Sequence, residues 1–358
     1  MDLSKLREHF KRATTVPEEW SGDHFFTNDR GEFLRYAHAP AQTGRTRGTI
    51  IHRHGAGESL DLYYETICWY QHQGFDVWAY DLSGYGLSDG KNPNHNPSPK
   101  DTIRHVNDLD CFIKNVVKPT PDKPLIMSNH SLSGHSGLIY LHKHPEVFQG
   151  AIMSSPMFDI YRMGLPAIFR PLIRGIFSLA CTMGLKDVET PAAGYSRILD
   201  RVKKTSESLT TIALGQVNYR GAVKQMIKEL HPDRYRDRPT FGWVRAAYIT
   251  LMPTLRRSFL QSIHTPTLIG SAGVLEELVD TGAHARAARL MPRAELAKMH
   301  FADHNLWHDN DKNNTEWTDY VRDFLDRVAP RTAAPPIFLD RKSSILVNQL
   351  GIKRPSLS

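Results

Sequence analysis

Short apolar runs alternate with longer amphipathic stretches along most of the chain, and that alternation predicts its elements. Asp23 to Ala37 reads as two strands meeting at Asn28-Asp-Arg-Gly31, a hairpin signal. Thr49-Ile-Ile-His52 is a short buried strand that runs into His54-Gly-Ala-Gly-Glu58. Asp61 to Gln73 follows as a helix. Phe75 to Asp81 is a strand ending in the glycine-rich loop Ser83-Gly-Tyr-Gly-Leu-Ser-Asp-Gly90. Ile103, Val106, Leu109 and Phe112 recur at helical spacing, so a helix capped by Ser98 or Asp101 extends to about Val117. An apolar run from Pro124 then reaches Ser131, a helix-like segment follows, and Gly150 to Pro156 is another buried strand.

Strands alternating with helices at this spacing predict an α/β fold: a mostly parallel sheet with helices on both faces. The regularity stops at Met157. Residues 157–262 read as mostly helical and rich in Arg, Tyr and Pro. Strands resume at Thr265 to Ser271 and Ala294 to Met299, with helices near Gly282 to Leu290 and Thr315 to Val328. A helical block between two sheet strands reads as a cap over the carboxyl edge of the sheet, where such folds bind ligands. The expected division is a core of residues 1–156 and 263–330, a helical cap of 157–262, and a tail of 331–358 that is extended or partly disordered.

Composition narrows the classes. At 358 residues and 40% hydrophobic, the chain can bury a sizeable core. Its net charge is +7, of which the tail carries +4 through Arg331, Arg341, Lys342, Lys353 and Arg354 against Asp340. No helix shows a basic stripe with interleaved aromatics, so nucleic acid is not an expected partner. Cys68, Cys111 and Cys181 are far apart and lack metal-ligand spacing, which points to a reducing, cytoplasmic setting. The first ten residues are charged and lack an apolar core, and no predominantly apolar run of 18 residues occurs. Neither a signal peptide nor a membrane span is therefore expected.

The chemistry centres on Asn129-His-Ser-Leu-Ser-Gly134, a variant of Gly-x-Ser-x-Gly, the nucleophile elbow. Strand and helix crowd together there, which favours small residues two places before and after the serine. Here those places hold Asn129 and Ser133 rather than glycine. A serine hydroxyl needs a base, and the base an orienting acid. On this type of sheet the chain order is Ser, Asp/Glu, His. Gly273-Val-Leu-Glu-Glu-Leu-Val-Asp280 and Phe301-Ala-Asp-His-Asn-Leu-Trp-His308 supply candidates in that order.

Five motifs together resemble the α/β-hydrolase superfamily, and within it the bacterial lysophospholipase and monoacylglycerol lipase group. His54-Gly-Ala-Gly-Glu58 is similar to that group's His-Gly-x-Gly-Glu loop. Asp81-Leu-Ser-Gly-Tyr-Gly-Leu-Ser-Asp-Gly90 resembles Asp-x-Arg-Gly-His-Gly-x-Ser-x-Gly, and Asn129 to Gly134 resembles Gly-His-Ser-Met-Gly-Gly. Ser154-Ser-Pro-Met157 and Arg238-Pro-Thr-Phe-Gly-Trp243 resemble stretches that open and line the cap. The likeness covers about residues 20 to 328. It implies Ser131 as nucleophile, His304 as base, and oxyanion-binding N–H groups from Ala56 and Leu132. The pattern Asp/Glu-Arg-Val-Val-Asp falls on Glu276-Glu-Leu-Val-Asp280, making Glu276 the acid, with Glu277 its rival and Asp280 a helix cap. His54 and Glu58 would shape the loop. The implied reaction is hydrolysis of a glycerolipid ester, a lysophospholipid or a monoacylglycerol, without a cofactor. The rivals are a carboxylesterase, a diacylglycerol lipase, or a hydrolase-fold binding protein without chemistry.

Two further signals stay open. None of the paired histidines among the 18 has a carboxylate cluster beside it, so no metal site is expected. The apolar stretch Ala167 to Leu185, with Arg170 and Arg174 one turn apart, reads either as a lid against a lipid surface or as a helix packed on the body. The cap and the basic tail are thus the two candidates for peripheral contact with the inner membrane surface.

Overall fold

The computed structural model describes residues 2–42, 46–91, 101–160, 167–190, 217–235, 239–273 and 275–331. Its strands are β1 (Ser21–Thr27), β2 (Phe33–Ala39), β3 (Gly48–Arg53), β4 (Phe75–Tyr80), β5 (Leu125–His130), β6 (Gly150–Ser154), β7 (Thr267–Ala272) and β8 (Ala294–Met299). They form one sheet in the order β1-β2-β4-β3-β5-β6-β7-β8. The pairs β1–β2 and β2–β4 are antiparallel, and every later pair is parallel. Strands β3, β5, β6 and β7 are buried along their whole length, as their unbroken apolar runs require of strands covered on both faces.

The described helices are α1 (Leu3–Thr14), α2 (Tyr64–His72), α3 (Asp101–Phe112), α4 (Leu132–Lys143), α5 (Arg170–Thr182), α6 (Tyr219–Leu230), α7 (Phe241–Thr254), α8 (Arg257–Gln261), α9 (Thr281–Leu290) and α10 (Asp311–Val328). One hydrophobic cluster lies on the sheet face that carries Met127, Leu138 and Phe112. The other gathers Ile126, Tyr63, Trp307 and Trp317 on the opposite face.

Local chemistry explains where the elements depart from the periodicity. The charged N-terminus, which carried no clear signal, forms α1, because Asp2 Oδ1 accepts the Ser4 N–H at 2.8 Å and His9 stacks on Tyr219 of α6. Helix α10 begins at Asp311, one turn before Thr315, because the Asn310 side chain caps it by accepting the Asn313 N–H at 3.1 Å. Asp280 caps α9 as expected, accepting the Gly282 N–H at 2.8 Å. The rival cap Ser98, Arg238 and the tail beyond Arg331 lie outside the described residues.

Between β6 and β7 the described chain is helical, comprising α5, α6, α7 and α8. Helix α5 buries none of its side chains. Leu172, Ile176 and Leu179 are 59%, 56% and 63% exposed. Arg170 turns inward and donates from Nε to buried Asp159 at 2.8 Å. Among the described residues no helix is long and apolar enough to cross a membrane, and no group of three or more His, Cys, Asp and Glu is placed to hold a metal ion. Cys68, Cys111 and Cys181 are free thiols.

Candidate active site

The site lies where β3, β5, β7 and β8 end. Strand β5 stops at His130 and α4 starts at Leu132, so Ser131 alone makes the turn, with φ 50° and ψ −114°. Such a backbone is strained for a residue with a Cβ and persists only where its surroundings hold it. Here the Ser131 N–H is held by the Ser154 carbonyl at 3.0 Å, and the Ser131 carbonyl accepts from Gly134 and Met157. The side chain is thereby pushed out of the sheet edge at the N-terminus of α4.

Ser131 Oγ lies 2.9 Å from His304 Nε2. The other ring nitrogen, Nδ1, lies 2.7 Å and 2.9 Å from the two carboxylate oxygens of Glu276. A carboxylate can only accept, so Nδ1 carries the proton and Nε2 is left to accept from the serine hydroxyl. Glu276 Oε1 also accepts the N–H groups of Leu278 and Val279, at 2.9 Å and 3.1 Å. Burial disfavours the charge on Glu276, but His304 and these two N–H groups outweigh it and hold the carboxyl below its ordinary range. The neighbouring Glu277 points elsewhere, and one of its buried oxygens has no partner among the described residues. The structure therefore brings Ser131, His304 and Glu276 together and leaves Glu277 out.

Leu132 follows Ser131 directly, and Ala56 follows Gly55, which packs against the elbow. Leu132 is the first residue of α4, so its N–H has no partner inside the helix. The loop bearing Ala56 presses against the elbow. A Cβ on Gly55 would fall 2.9 Å from the His130 ring and 3.1 Å from Ser131 Cβ, so glycine lets the two backbones approach. His54 shapes this loop from both nitrogens: Nδ1 donates to the Gly55 carbonyl at 2.7 Å, and Nε2 accepts the Leu82 N–H at 3.1 Å.

Glu58 does more than shape the loop. Its carboxylate accepts the Gly55 N–H at 2.8 Å, the Tyr63 hydroxyl at 2.6 Å and the Asn305 amide at 3.1 Å. It also pairs with Lys224 of α6. One buried carboxylate thus touches the Ala56 loop and the residue after His304, and lies 4.0 Å from His130, the residue before Ser131. Burial pushes the Glu58 carboxyl up, but the charge of Lys224 outweighs it and keeps the group well below its ordinary range. Burial drives the His130 ring well below its ordinary value, so it is neutral near pH 7. Lys224, Tyr63 and Asn305 carried no sequence signal, because their role exists only through contacts between distant segments.

The Hydrolase_4 family, described as serine aminopeptidase, S33, matches residues 44–311. Caffeoylshikimate esterase of Arabidopsis thaliana is 26% identical over 201 residues, 55% of this chain and 57% of that protein. Monoglyceride lipase of Saccharomyces cerevisiae is 27% identical over 42% of this chain and 48% of its own length. The chain thus spans about half the length of these two relatives. Lysophospholipase L2 of Escherichia coli K12 is 24% identical over 76% of this chain and 78% of its own. Among solved structures, a soluble variant of the yeast monoglyceride lipase with a substrate analog superposes with a TM-score of 0.64 at 19% identity, covering 89% of this chain and 97% of that one. A carboxyl esterase from Bacillus coagulans gives 0.63 at 14% identity, over 88% and 100%. The chain has the α/β-hydrolase fold and belongs to the Hydrolase_4 family.

Proposed function

We propose that the protein is a serine hydrolase of carboxylic esters. The observation that carries this reading is the unbroken chain from Ser131 Oγ through His304 to the Glu276 carboxylate at hydrogen-bond distances, on a strained strand-to-helix turn. Ser131 attacks the acyl carbonyl while His304 Nε2 takes its proton. The N–H groups of Ala56 and Leu132 hold the oxyanion, and each such donor is worth on the order of 3 kcal/mol in the transition state. The ester C–O bond breaks and the alcohol leaves with the proton from His304. Water, deprotonated by the same nitrogen, then releases the acid and restores the serine.

The substrate class we propose is a glycerolipid with one acyl chain, a lysophospholipid or a monoacylglycerol. The yeast and E. coli relatives support it. The helical block between β6 and β7 serves as the cap over the site. Helix α5 packs on α7 through Phe177 against Phe241, and its outer apolar face, with Leu172, Ile176 and Leu179 unburied, rests on the lipid surface that supplies the substrate. Three free thiols suit a cytoplasmic protein working at the inner membrane surface. The esterase from Arabidopsis thaliana keeps a general carboxylesterase as the second reading.

A screen of matched lysophospholipids, monoacylglycerols, diacylglycerols and nitrophenyl esters of graded chain length tests this. Turnover and fluorophosphonate labelling are expected in the wild type and absent in Ser131→Ala. Labelling that survives the substitution removes Ser131 as nucleophile. Turnover confined to short nitrophenyl esters moves the assignment to the carboxylesterase reading, and a wild type with neither turnover nor labelling leaves the fold as a binding protein.

A further inference from the structure

Arg53 ends β3, directly before His54 and the Ala56 loop. The parallel register sets it opposite Asn129 of β5, two residues before Ser131. Both side chains are fully buried, at 0% exposure. The guanidinium spends its donors on the elbow. Nε donates to Asn129 Oδ1 at 2.9 Å, Nη1 to Ser136 Oγ at 3.1 Å, and Nη2 to the Ser133 carbonyl at 3.1 Å. Ser133 answers from its side chain: its Oγ accepts the His130 N–H at 3.0 Å and lies 2.9 Å from both the Arg53 and the His130 carbonyls, which share its one proton. Among the described residues no carboxylate pairs with Arg53, and arginine does not shed its charge in proteins.

A buried charge without a counterion is costly unless its hydrogen bonds are satisfied. Here they are satisfied by Asn129, Ser133 and Ser136, two before, two after and five after Ser131. Asn129 and Ser133 are the positions where the expected pattern has glycine. Gly137 opens the space for them: a Cβ there would fall 2.3 Å from Asn129 Nδ2 and 3.0 Å from Arg53 Nη2. The departure from the glycine pattern therefore has a structural partner. The guanidinium also sits against the first turn of α4, where its charge adds to the positive end of the helix dipole. That is unfavourable for the helix and favourable for an oxyanion forming at Ser131.

We propose that Arg53, Asn129 and Ser133 act as one positioning unit, in which Arg53 locks the Ala56 loop to the nucleophile elbow and lends its charge to the transition state. The proposal rests on the ester-hydrolase reading. It places the two oxyanion donors on segments tied through one side chain, in a chain whose elbow lacks the packing of paired glycines.

The test is kcat and KM on a short nitrophenyl ester, normalised to sites titrated with a fluorophosphonate, for Arg53→Met, Arg53→Lys, Asn129→Ala and Arg53→Met combined with Asn129→Gly and Ser133→Gly. Arg53→Met is expected to lower kcat per titrated site about 100-fold with KM within about threefold, the scale of a lost oxyanion contact. Arg53→Lys keeps the charge but not the fork and recovers part of that loss. Asn129→Ala loses about tenfold in kcat alone, on the same scale. The triple variant, which removes both partners of the Arg53–Asn129 hydrogen bond and restores the glycine pair, exceeds Arg53→Met by at least about tenfold. A purely structural role would reduce the yield of titratable sites and leave kcat per site unchanged, which overturns the proposal. If Arg53→Met does not fold, wild-type kcat in both Arg53→Lys and Asn129→Ala overturns it equally. An active wild type with indifferent variants sinks this proposal alone. A wild type that neither turns over esters nor takes the probe sinks the ester-hydrolase reading, and this proposal with it.

Discussion

Arg53 and Glu58 lie five residues apart on either side of the same loop, both buried, and they are balanced in opposite ways. Arg53 packs with Met127 on one face of the sheet, and its partners are neutral groups of β5 and α4. Glu58 lies on the other side with Tyr63 and Asn305, and its charge is met by Lys224 from the helical block between β6 and β7. One side of the site is therefore assembled by the sheet and the helix that follows Ser131 directly. The other is complete only when α6 is docked. A buried ion held by neutral dipoles needs close geometry but no counter-charge, whereas a buried carboxylate held by a lysine depends on the element that delivers it.

The comparison matters only if the residue between the two ions does chemistry, and the largest predicted effect tests that. Ser131→Ala is expected to lower ester turnover by roughly five to six orders of magnitude, measured as kcat per mole of purified protein. A smaller loss would leave both ions as fold stabilisers. Next, Glu276→Gln should reduce kcat about 10⁴-fold by upsetting the tautomer of His304, while Glu277→Gln stays within a few-fold. Comparable losses in the two variants would break the assignment of the acid.

Lys224→Met cuts the Glu58 side without touching the Arg53 side. It should destabilise the protein by about 3 kcal/mol in thermal or denaturant melts, because it strands a buried carboxylate. In the wild type the Glu58 pKa is held below its unfolded value, so its contribution is present at neutral pH and is lost only as pH falls through that low folded value. Without Lys224, burial pushes the folded pKa upward. The deficit in Tm should therefore be largest at neutral pH and narrow as acid protonates the stranded carboxyl. Lys224→Arg should restore most of it. A deficit that does not change with pH would show that Lys224 acts by packing rather than charge.

The smallest effect belongs to the outer face of the same block. Serine at Leu172, Ile176 and Leu179 together should leave kcat on a soluble nitrophenyl ester within about twofold, since surface changes of this kind cost little. Sedimentation with anionic phospholipid vesicles should fall several-fold. Unchanged vesicle binding would remove α5 as the lipid-facing element.

Much of the arrangement is legible in the chain. The strand and helix order follows from apolar period, and Ser131, the Glu276–Glu277 pair and His304 each follow a late strand, as doubly wound sheets place their ligand-binding loops. The sequence alone determined the element order, the interruption after Met157 and the chemical types at the sheet edge, because periodicity and loop composition are local properties. Only the tertiary structure set Glu276 rather than Glu277 against His304, since the two differ by one residue in a loop whose path depends on what it packs against. It also decided that Asn129 and Ser133 serve Arg53, which needs the β3–β5 register, and that Lys224 reaches Glu58 across 166 residues of chain. Charge balance in a buried site is a property of neighbours in space, and a linear pattern does not contain it.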